Sequence, residues 1–240
     1  MLARNLLLSL MLAFLVTLPL VHADSGPYLI PLEGSQWSSR IIHVHVYGGQ
    51  DWQQNQTYQA MQIWNQAQLW FAREYFPNSS VYTFELGDSS APVQVRLLDS
   101  STVVGSIQAW TDYHAQKGIM ESASVKIGAR NSKEAILLLS LHELGHVLGV
   151  GHVSCCERDL MDPYPVANAA APLPTTLDLY AVHILASGDP VPNYALLPNK
   201  MPYQTMPAAE LTLPELPNPL LALVCVYGLV LIRRRQLSKR

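Results

Sequence analysis

The chain has 240 residues, of which 49% are hydrophobic, and a formal net charge of −3 at pH 7. This balance, without a basic stripe, argues against nucleic acid as a partner. Three cysteines, two of them adjacent, are too few for a disulfide framework. Residues 24–187 lie between two apolar terminal segments and are enough for one domain with its own core, which we expect to be a monomer.

Residues 1–23 have the plan of a secretory signal peptide. Arg4 supplies positive charge, an apolar run follows from Leu6 to Leu20, and the segment ends in Val21-His22-Ala23. An uncleaved N-terminal anchor is the alternative interpretation. Both interpretations predict that the body of the protein is exported.

Residues 41–47 alternate between apolar and polar side chains, which predicts a first strand. His43 and His45 then share one face, and we favour a solvated face over a second metal site there. Whether the protein holds a structural Ca²⁺ or a second Zn²⁺ is left open. A long helix is predicted from about Gln53 to Phe76. Its core-facing stripe consists of Tyr58, Met61, Trp64, Ala67, Trp70 and Phe71.

The following region predicts a series of strands and then a second helix. The strands are expected at Val81–Leu86, Val93–Leu98, Gly105–Thr111 and Ser122–Ile127, with a turn near Lys117-Gly118. Asn131 is the predicted N-cap of the next helix, with Glu134 reaching back to it. That helix is apolar around most of its circumference, so the histidines within it need a polar partner. A zinc ion would be such a partner.

The histidines of this helix have the spacing of metal ligands. His142 and His146 lie four residues apart and therefore share one helix face. Glu143 lies off that face, where it suits a general base acting on a metal-bound water. Gly149 and Gly151 allow the chain to turn back, which would bring His152 to the ion as a third ligand.

The pattern His142-Glu143-x-x-His146-x-x-Gly149-x-x-His152, followed by Met161, resembles that of the metzincin zinc endopeptidases. The order of elements over about residues 38–187 is similar to the catalytic domain of the matrixins. The resemblance implies an α+β fold: a mixed twisted sheet, a long packing helix, a zinc-binding active-site helix, a Met-turn and a C-terminal helix. Thr175 with Asp178 predicts the start of that last helix by a capping box.

The resemblance also implies roles for other residues. Met161 would be a structural floor beneath one catalytic Zn²⁺, and an edge strand would pair with an extended protein or peptide substrate. The substrate-binding residues that it implies are Ser106, Ile107, Gln108, Ala109 and Trp110 on the edge strand, with Pro163 and Tyr164 in the wall of a specificity pocket.

The expected activity is hydrolysis of peptide bonds, with Glu143 as general base. The alternative from another class is a zinc-stabilised extracellular binding module without turnover. Retention of Glu143 argues against that alternative, because a purely structural site needs no general base. A metal-dependent hydrolase acting on a substrate other than a peptide is a third possibility.

The composition changes after Ser187. Residues 188–219 are rich in proline, which favours an extended spacer, and residues 220–240 contain an apolar run that ends in Arg233-Arg234-Arg235. This order predicts a C-terminal membrane anchor. It is also similar to the PEP-CTERM class of bacterial sorting tails. Both interpretations place the domain outside the cell or at its surface.

Cys155 and Cys156 follow the third histidine closely. They admit three interpretations: buried free thiols, a disulfide with each other, or a thiolate that reaches the zinc and blocks it. We expect buried free thiols.

Overall fold

The computed structural model describes residues 27–98, 109–128, 132–154, 156, 159–163, 173–188 and 190–212. The predicted signal peptide and residues 220–240 lie outside the described residues. In the described part of the chain, no helix has both the length and the apolar character needed to cross a membrane.

The described residues form an α+β fold built on a mixed sheet, as predicted. The strands of this sheet are β2 (Gln36–Trp37), β3 (Ile41–Gly48), β4 (Thr83–Leu86), β5 (Val93–Leu98), β6 (Ala109–Gln116) and β7 (Ile119–Gly128). Strands β4, β3, β5 and β7 are neighbours in that order and run parallel. Strand β6 runs antiparallel along the other side of β7, and β2 pairs with the first residues of β7.

The predicted alternation decides which face of the sheet is buried. In β3, Ile42, Val44 and Val46 are buried, while His43 is exposed and His45 is half-buried against the ring of Tyr47. Successive side chains of a strand point to opposite faces, so the apolar set faces the helices and the histidines face outwards.

The described residues include three α-helices: α1 (Asp51–Tyr75), α2 (Lys133–Val147) and α3 (Thr176–Ser187). The long α1 packs against α2, where the Trp64 indole donates a hydrogen bond to the Leu141 carbonyl at 2.9 Å. At its start, α3 has the predicted capping box between Thr175 and Asp178. Its end is marked by Gly188, whose φ of +81° places it in the left-handed region that favours glycine.

Helix α2 begins one residue later than predicted. Its N-cap is Ser132 instead of Asn131, and the Ser132 hydroxyl accepts a hydrogen bond from the Ala135 N–H at 3.3 Å. Serine and asparagine are almost equally good N-caps, so the residue types alone do not decide between neighbouring positions.

The described residues after Ser187 do not form the predicted separate spacer. Strand β8 (Tyr194–Leu196) pairs antiparallel with β1 (Leu29–Pro31), and a 3₁₀ turn follows at Ala208–Glu210. Ala195, Leu197 and Met206 are buried in the core. The spacer was predicted from proline content alone. The apolar residues between the prolines were not considered, and their burial anchors the segment. The folded unit therefore extends beyond residue 187.

Candidate metal centre

The three predicted histidines meet at one point. Helix α2 supplies His142 and His146, and the turn that follows supplies His152. The Nε2 of His142 lies 3.1 Å from that of His152 and 3.2 Å from that of His146. The remaining distance, between His146 and His152, is 3.2 Å. The three nitrogens thus form a nearly equilateral triangle.

Hydrogen bonds at Nδ1, the other ring nitrogen, fix the tautomers of the two helix histidines. His142 Nδ1 lies 2.7 Å from the Leu160 carbonyl, and His146 Nδ1 lies 2.8 Å from the Val150 carbonyl. A carbonyl oxygen only accepts, so each Nδ1 carries the proton and each Nε2 presents a lone pair to the centre of the triangle. Burial lowers the pKa of both rings to about 4, so both are neutral near pH 7.

This donor set fits a zinc ion. Four tetrahedral ligands at about 2.0–2.1 Å from zinc are separated by roughly 3.3–3.4 Å, close to the observed sides of the triangle. His152 can donate at most one proton, so it cannot satisfy both lone pairs that face it. A cation at the centre would satisfy all three nitrogens, and neutral imidazole is a preferred ligand of zinc.

The turn after α2 brings His152 into position, as the two glycines predict. Gly149 has a φ of +93°, and a Cβ there would lie 2.9 Å from the Ser35 carbonyl oxygen. The Gly151 N–H donates to the Pro31 carbonyl at 2.8 Å. These contacts hold the turn against residues 31–35. They leave no space for a side chain on Gly149. His152 is exposed, which leaves the centre accessible from solvent.

Glu143 lies beside the histidines but outside their triangle. It is 4% exposed, and burial raises the pKa of its carboxyl to about 7. A hydrogen bond from the Thr111 hydroxyl to Oε2, 2.6 Å long, acts in the opposite direction and lowers that pKa. A cation bound by the histidines would act in the same direction as Thr111, because a positive charge nearby favours the carboxylate form that can accept a proton.

Met161 lies in a buried loop packed against α2. A Cβ built on Gly145 would overlap the Met161 sulfur, so the methionine occupies the space that glycine leaves. The Val153 N–H donates to the Met161 carbonyl at 2.9 Å, which joins this loop to the segment after His152. The neighbouring Leu160 carbonyl is the partner of His142. This loop therefore orients one histidine of the triangle.

Asp159 anchors the same loop through contacts that the sequence did not indicate. Its Oδ1 accepts from the Met161 N–H at 3.0 Å, and its Oδ2 accepts from the Tyr203 hydroxyl at 2.7 Å and from the Thr175 hydroxyl at 3.1 Å. Burial and the nearby Asp159 raise the pKa of Asp178 well above its usual range. Tyr203 was missed because it lies in the segment predicted to be a spacer.

The remaining predicted substrate residues are only partly described. Ala109 and Trp110 begin strand β6, and the Trp110 ring packs under the Lys126 ammonium at 5.0 Å. Pro163 is exposed after the Met161 loop. Ser106, Ile107, Gln108 and Tyr164 lie outside the described residues. Thr111, which directly follows the predicted substrate residues, was not predicted to belong to the site.

The prediction of free thiols is wrong for Cys156. This residue is buried and disulfide-bonded, and its partner lies outside the described residues. The sequence does not distinguish the two states, because burial is common to free and to bonded cysteine sulfur. A sulfur held in a disulfide has no thiolate to offer a metal ion, so Cys156 does not block the centre in this state.

Comparisons with known proteins give little further information. No family model matches the chain, and no curated protein matches it. Among solved structures, that of myroilysin is similar, with 16% identity over 51% of this chain and 54% of that chain and a TM-score of 0.36. The chain spans about half the length of that solved structure. A likeness of this extent contributes nothing to the function proposed below.

Proposed function

We propose that this protein is a zinc endopeptidase of the metzincin type, with a matrixin-like catalytic domain. The observation that carries the proposal is the triangle of His142, His146 and His152 with the buried carboxyl of Glu143 beside it. A purely structural zinc site has a closed set of four protein ligands, whereas a catalytic site has three and leaves one position open. Among the described residues, the metal-binding cluster consists of the three histidines alone.

The three histidines would hold the zinc ion, each through Nε2. When bound, zinc lowers the pKa of a water ligand towards about 7 and polarises the substrate carbonyl. Glu143 accepts a proton from the attacking water, whose oxygen forms the bond to the carbonyl carbon. The same carboxyl then gives this proton to the leaving amine nitrogen as the C–N bond breaks.

Strand β6 would bind the substrate as an added strand. One side of β6 pairs with β7, and its Thr111 side chain contacts Glu143, so β6 borders the reacting group. An extended peptide beside β6 would pair with its backbone. Ser106 to Trp110 would contribute to this edge, with Pro163 and Tyr164 in the wall of a specificity pocket.

The decisive test is Glu143→Gln, which keeps the shape of the side chain but removes the base. We expect zinc content and thermal stability to match the parent, while casein cleavage falls by at least about 10²-fold. Glu134→Gln, at the exposed start of α2, is the matched control and should retain activity. Near-parental cleavage by Glu143→Gln would refute the mechanism. A parent that binds zinc but cleaves neither casein nor a peptide library would favour the binding module or a non-peptide hydrolase.

We also propose that the protein is exported and held at the cell surface. The support is the sequence of its ends: the signal-peptide plan of residues 1–23 and the apolar, arginine-terminated residues 220–240. In its host, the full chain should fractionate with membranes, whereas a chain ending at Thr212 should be released. A full chain that is soluble with its C-terminus intact would contradict both the anchor and the sorting tail.

A further inference from the structure

Thr111 connects strand β6 to Glu143, the proposed general base. It lies in β6, and its hydroxyl contacts two acceptors of Glu143: carboxylate Oε2 at 2.6 Å and the backbone carbonyl oxygen at 3.3 Å. A hydroxyl has one proton and can donate to one of them at a time. The shorter contact has the length of a charge-assisted O–H···O⁻ bond.

The Glu143 carboxylate depends strongly on this hydrogen bond because it is buried. The side chain is 4% exposed, so water can solvate the carboxylate only slightly. Among the described residues, Thr111 provides the side-chain hydrogen bond to this carboxylate. A buried carboxylate that lost its donor would be left partly unsatisfied and freer to change its rotamer.

We propose that Thr111 is a positioning residue for Glu143, holding Oε2 so that Oε1 is the oxygen that receives the proton of the attacking water. This inference deepens the proposed function and rests on it. Once Glu143 carries that proton its carboxyl is neutral and a weaker acceptor, and the Thr111 hydroxyl has the Glu143 carbonyl within reach as a second acceptor. The hydroxyl proton therefore keeps a partner throughout, and Thr111 itself neither gains nor loses a proton.

A merely structural role makes a different prediction. If Thr111 only ties β6 to α2, its loss should lower thermal stability or raise KM through a displaced strand, and it should do so whether or not residue 143 is a base. If Thr111 positions the base, its loss should lower kcat, and the effect should depend on the Glu143 carboxylate.

The test therefore compares Thr111→Val, Thr111→Ser and the same changes combined with Glu143→Gln. Thr111→Val removes the hydroxyl at nearly constant shape, and we expect kcat to fall about 10-fold or more with KM within about twofold, as expected for a lost hydrogen bond to a charged group. Thr111→Ser should restore kcat to within about threefold of the parent. In the Glu143→Gln background, Thr111→Val should change the residual rate by less than about twofold. Thr83→Val, the same substitution on edge strand β4, is the matched control and should match the parent.

A second readout does not depend on turnover. Acetohydroxamate chelates zinc and offers its hydroxyl proton to a neighbouring base, so its affinity for the zinc-loaded protein reports whether Glu143 is in place. We expect Thr111→Val to weaken this affinity at least about fivefold at unchanged zinc content, and Thr111→Ser to restore it. Parental kcat and hydroxamate affinity in Thr111→Val, or an equal loss of rate in the Glu143→Gln background, would overturn the inference. A parent that binds zinc and hydroxamate but cleaves no peptide would refute the proposed function alone, since the hydroxamate comparison still decides the role of Thr111.

Discussion

Burial shifts the pKa values of the ionisable residues at the candidate metal centre, downwards for the histidines and upwards for the carboxyl. Burial lowers the pKa of His142 and His146 to about 4, from an ordinary value of 6.5. The same cause raises the pKa of Glu143 to about 7, from an ordinary 4.5. In both cases burial favours the neutral form. Neutral histidines are ready to bind a metal ion, whose positive charge would in turn lower the pKa of Glu143 and favour the carboxylate that accepts a proton.

These shifts predict how the metal-free protein responds to acid. Between about pH 4 and 6.5 the unfolded chain protonates both histidines while the folded protein does not, so their contribution makes stability rise with pH. Glu143 acts oppositely between about pH 4.5 and 7, because there the folded state holds the extra proton. Asp178, whose pKa is also raised by burial, acts in the same direction as Glu143, while His152 and His183, whose pKa values burial lowers, act in the direction of the two histidines. The contribution of Glu143 is therefore best measured by its removal: in chelator-treated Glu143→Gln the free energy of unfolding should rise with pH more steeply than in the parent, by roughly 1.4 kcal/mol per pH unit between about pH 4.5 and 7.

Urea denaturation at several pH values measures this slope. Parent and Glu143→Gln are compared after the same chelator treatment, and the difference between their two slopes is the contribution of Glu143. The Glu134→Gln variant should keep the parental slope. Equal slopes for the parent and Glu143→Gln would contradict the protonation state assigned to Glu143.

The sequence predicted the convergence of the three histidines better than the contacts that support them. Helical spacing places His142 and His146 on one face, and two glycines allow the turn to His152, so local geometry alone brings the three together. The partners of these residues come from distant parts of the chain. Thr111 reaches Glu143 from another strand, and Tyr203 reaches Asp159 from a segment after the last helix. No local periodicity encodes such long-range pairings.

At the scale of elements, α2 is fitted closely to its neighbours at Gly145. A Cβ there would overlap the Met161 sulfur and lie 3.3 Å from the Trp64 ring. Glycine in a helix interior costs about 1 kcal/mol relative to alanine, so propensity alone would favour the substitution. The packing against both side chains opposes it.

We therefore expect Gly145→Ala to destabilise the protein by about 1–3 kcal/mol, as overpacking of a core does. It should also weaken zinc binding, because displacement of the Met161 loop moves the Leu160 carbonyl that orients His142. Thermal denaturation and competition with a chelator measure the two effects.

A second substitution identifies the cause. If the contact with the Met161 side chain is responsible, Met161→Ala should cost less stability in the Gly145→Ala background than in the parent. Simple addition of the two losses would show that the side chains do not conflict. Gln62→Ala, on the exposed face of α1, controls for a general effect of alanine in a helix.

The bounds of strand β6 differ from those predicted by the sequence pattern. The edge strand was predicted at Gly105–Thr111, whereas β6 continues to Gln116 with a register shift between His114 and Ala115. Residues 112–116 are mostly polar and exposed, so alternation gave no signal there. The backbone pairing with β7 extends the strand regardless of side-chain polarity.

At the scale of the whole molecule, the first strand of the described chain pairs with a strand that follows the last helix and also contacts the turn after α2. Strand β1 pairs with β8, and the Tyr28 ring stacks on that of Tyr203 with centroids 4.4 Å apart. The same N-terminal segment accepts the Gly151 N–H at the Pro31 carbonyl. The residues after α3 thus support the segment on which the third histidine rests.

This arrangement predicts that a chain ending at Ser187 will not be an independent domain. It would lose the burial of Leu197 and Met206, worth about 1.5–3 kcal/mol each, and the Tyr203 hydrogen bond to the buried Asp159. The combined loss is a large part of the total stability of an ordinary domain. We expect this chain to unfold at a much lower temperature and to bind zinc weakly.

A chain ending at Thr212 is the matched comparison, because it keeps these contacts and the backbone hydrogen bond from Thr212 to the Gln66 side chain. Its melting temperature, measured by circular dichroism with and without zinc, should equal that of the longer protein. Leu197→Ala within this chain should cost about 2–5 kcal/mol, whereas Leu196→Ala, at a 48% exposed neighbour, should cost much less. Equal melting temperatures for the chains ending at Ser187 and Thr212 would show that the segment adds nothing to the fold and acts only as a spacer.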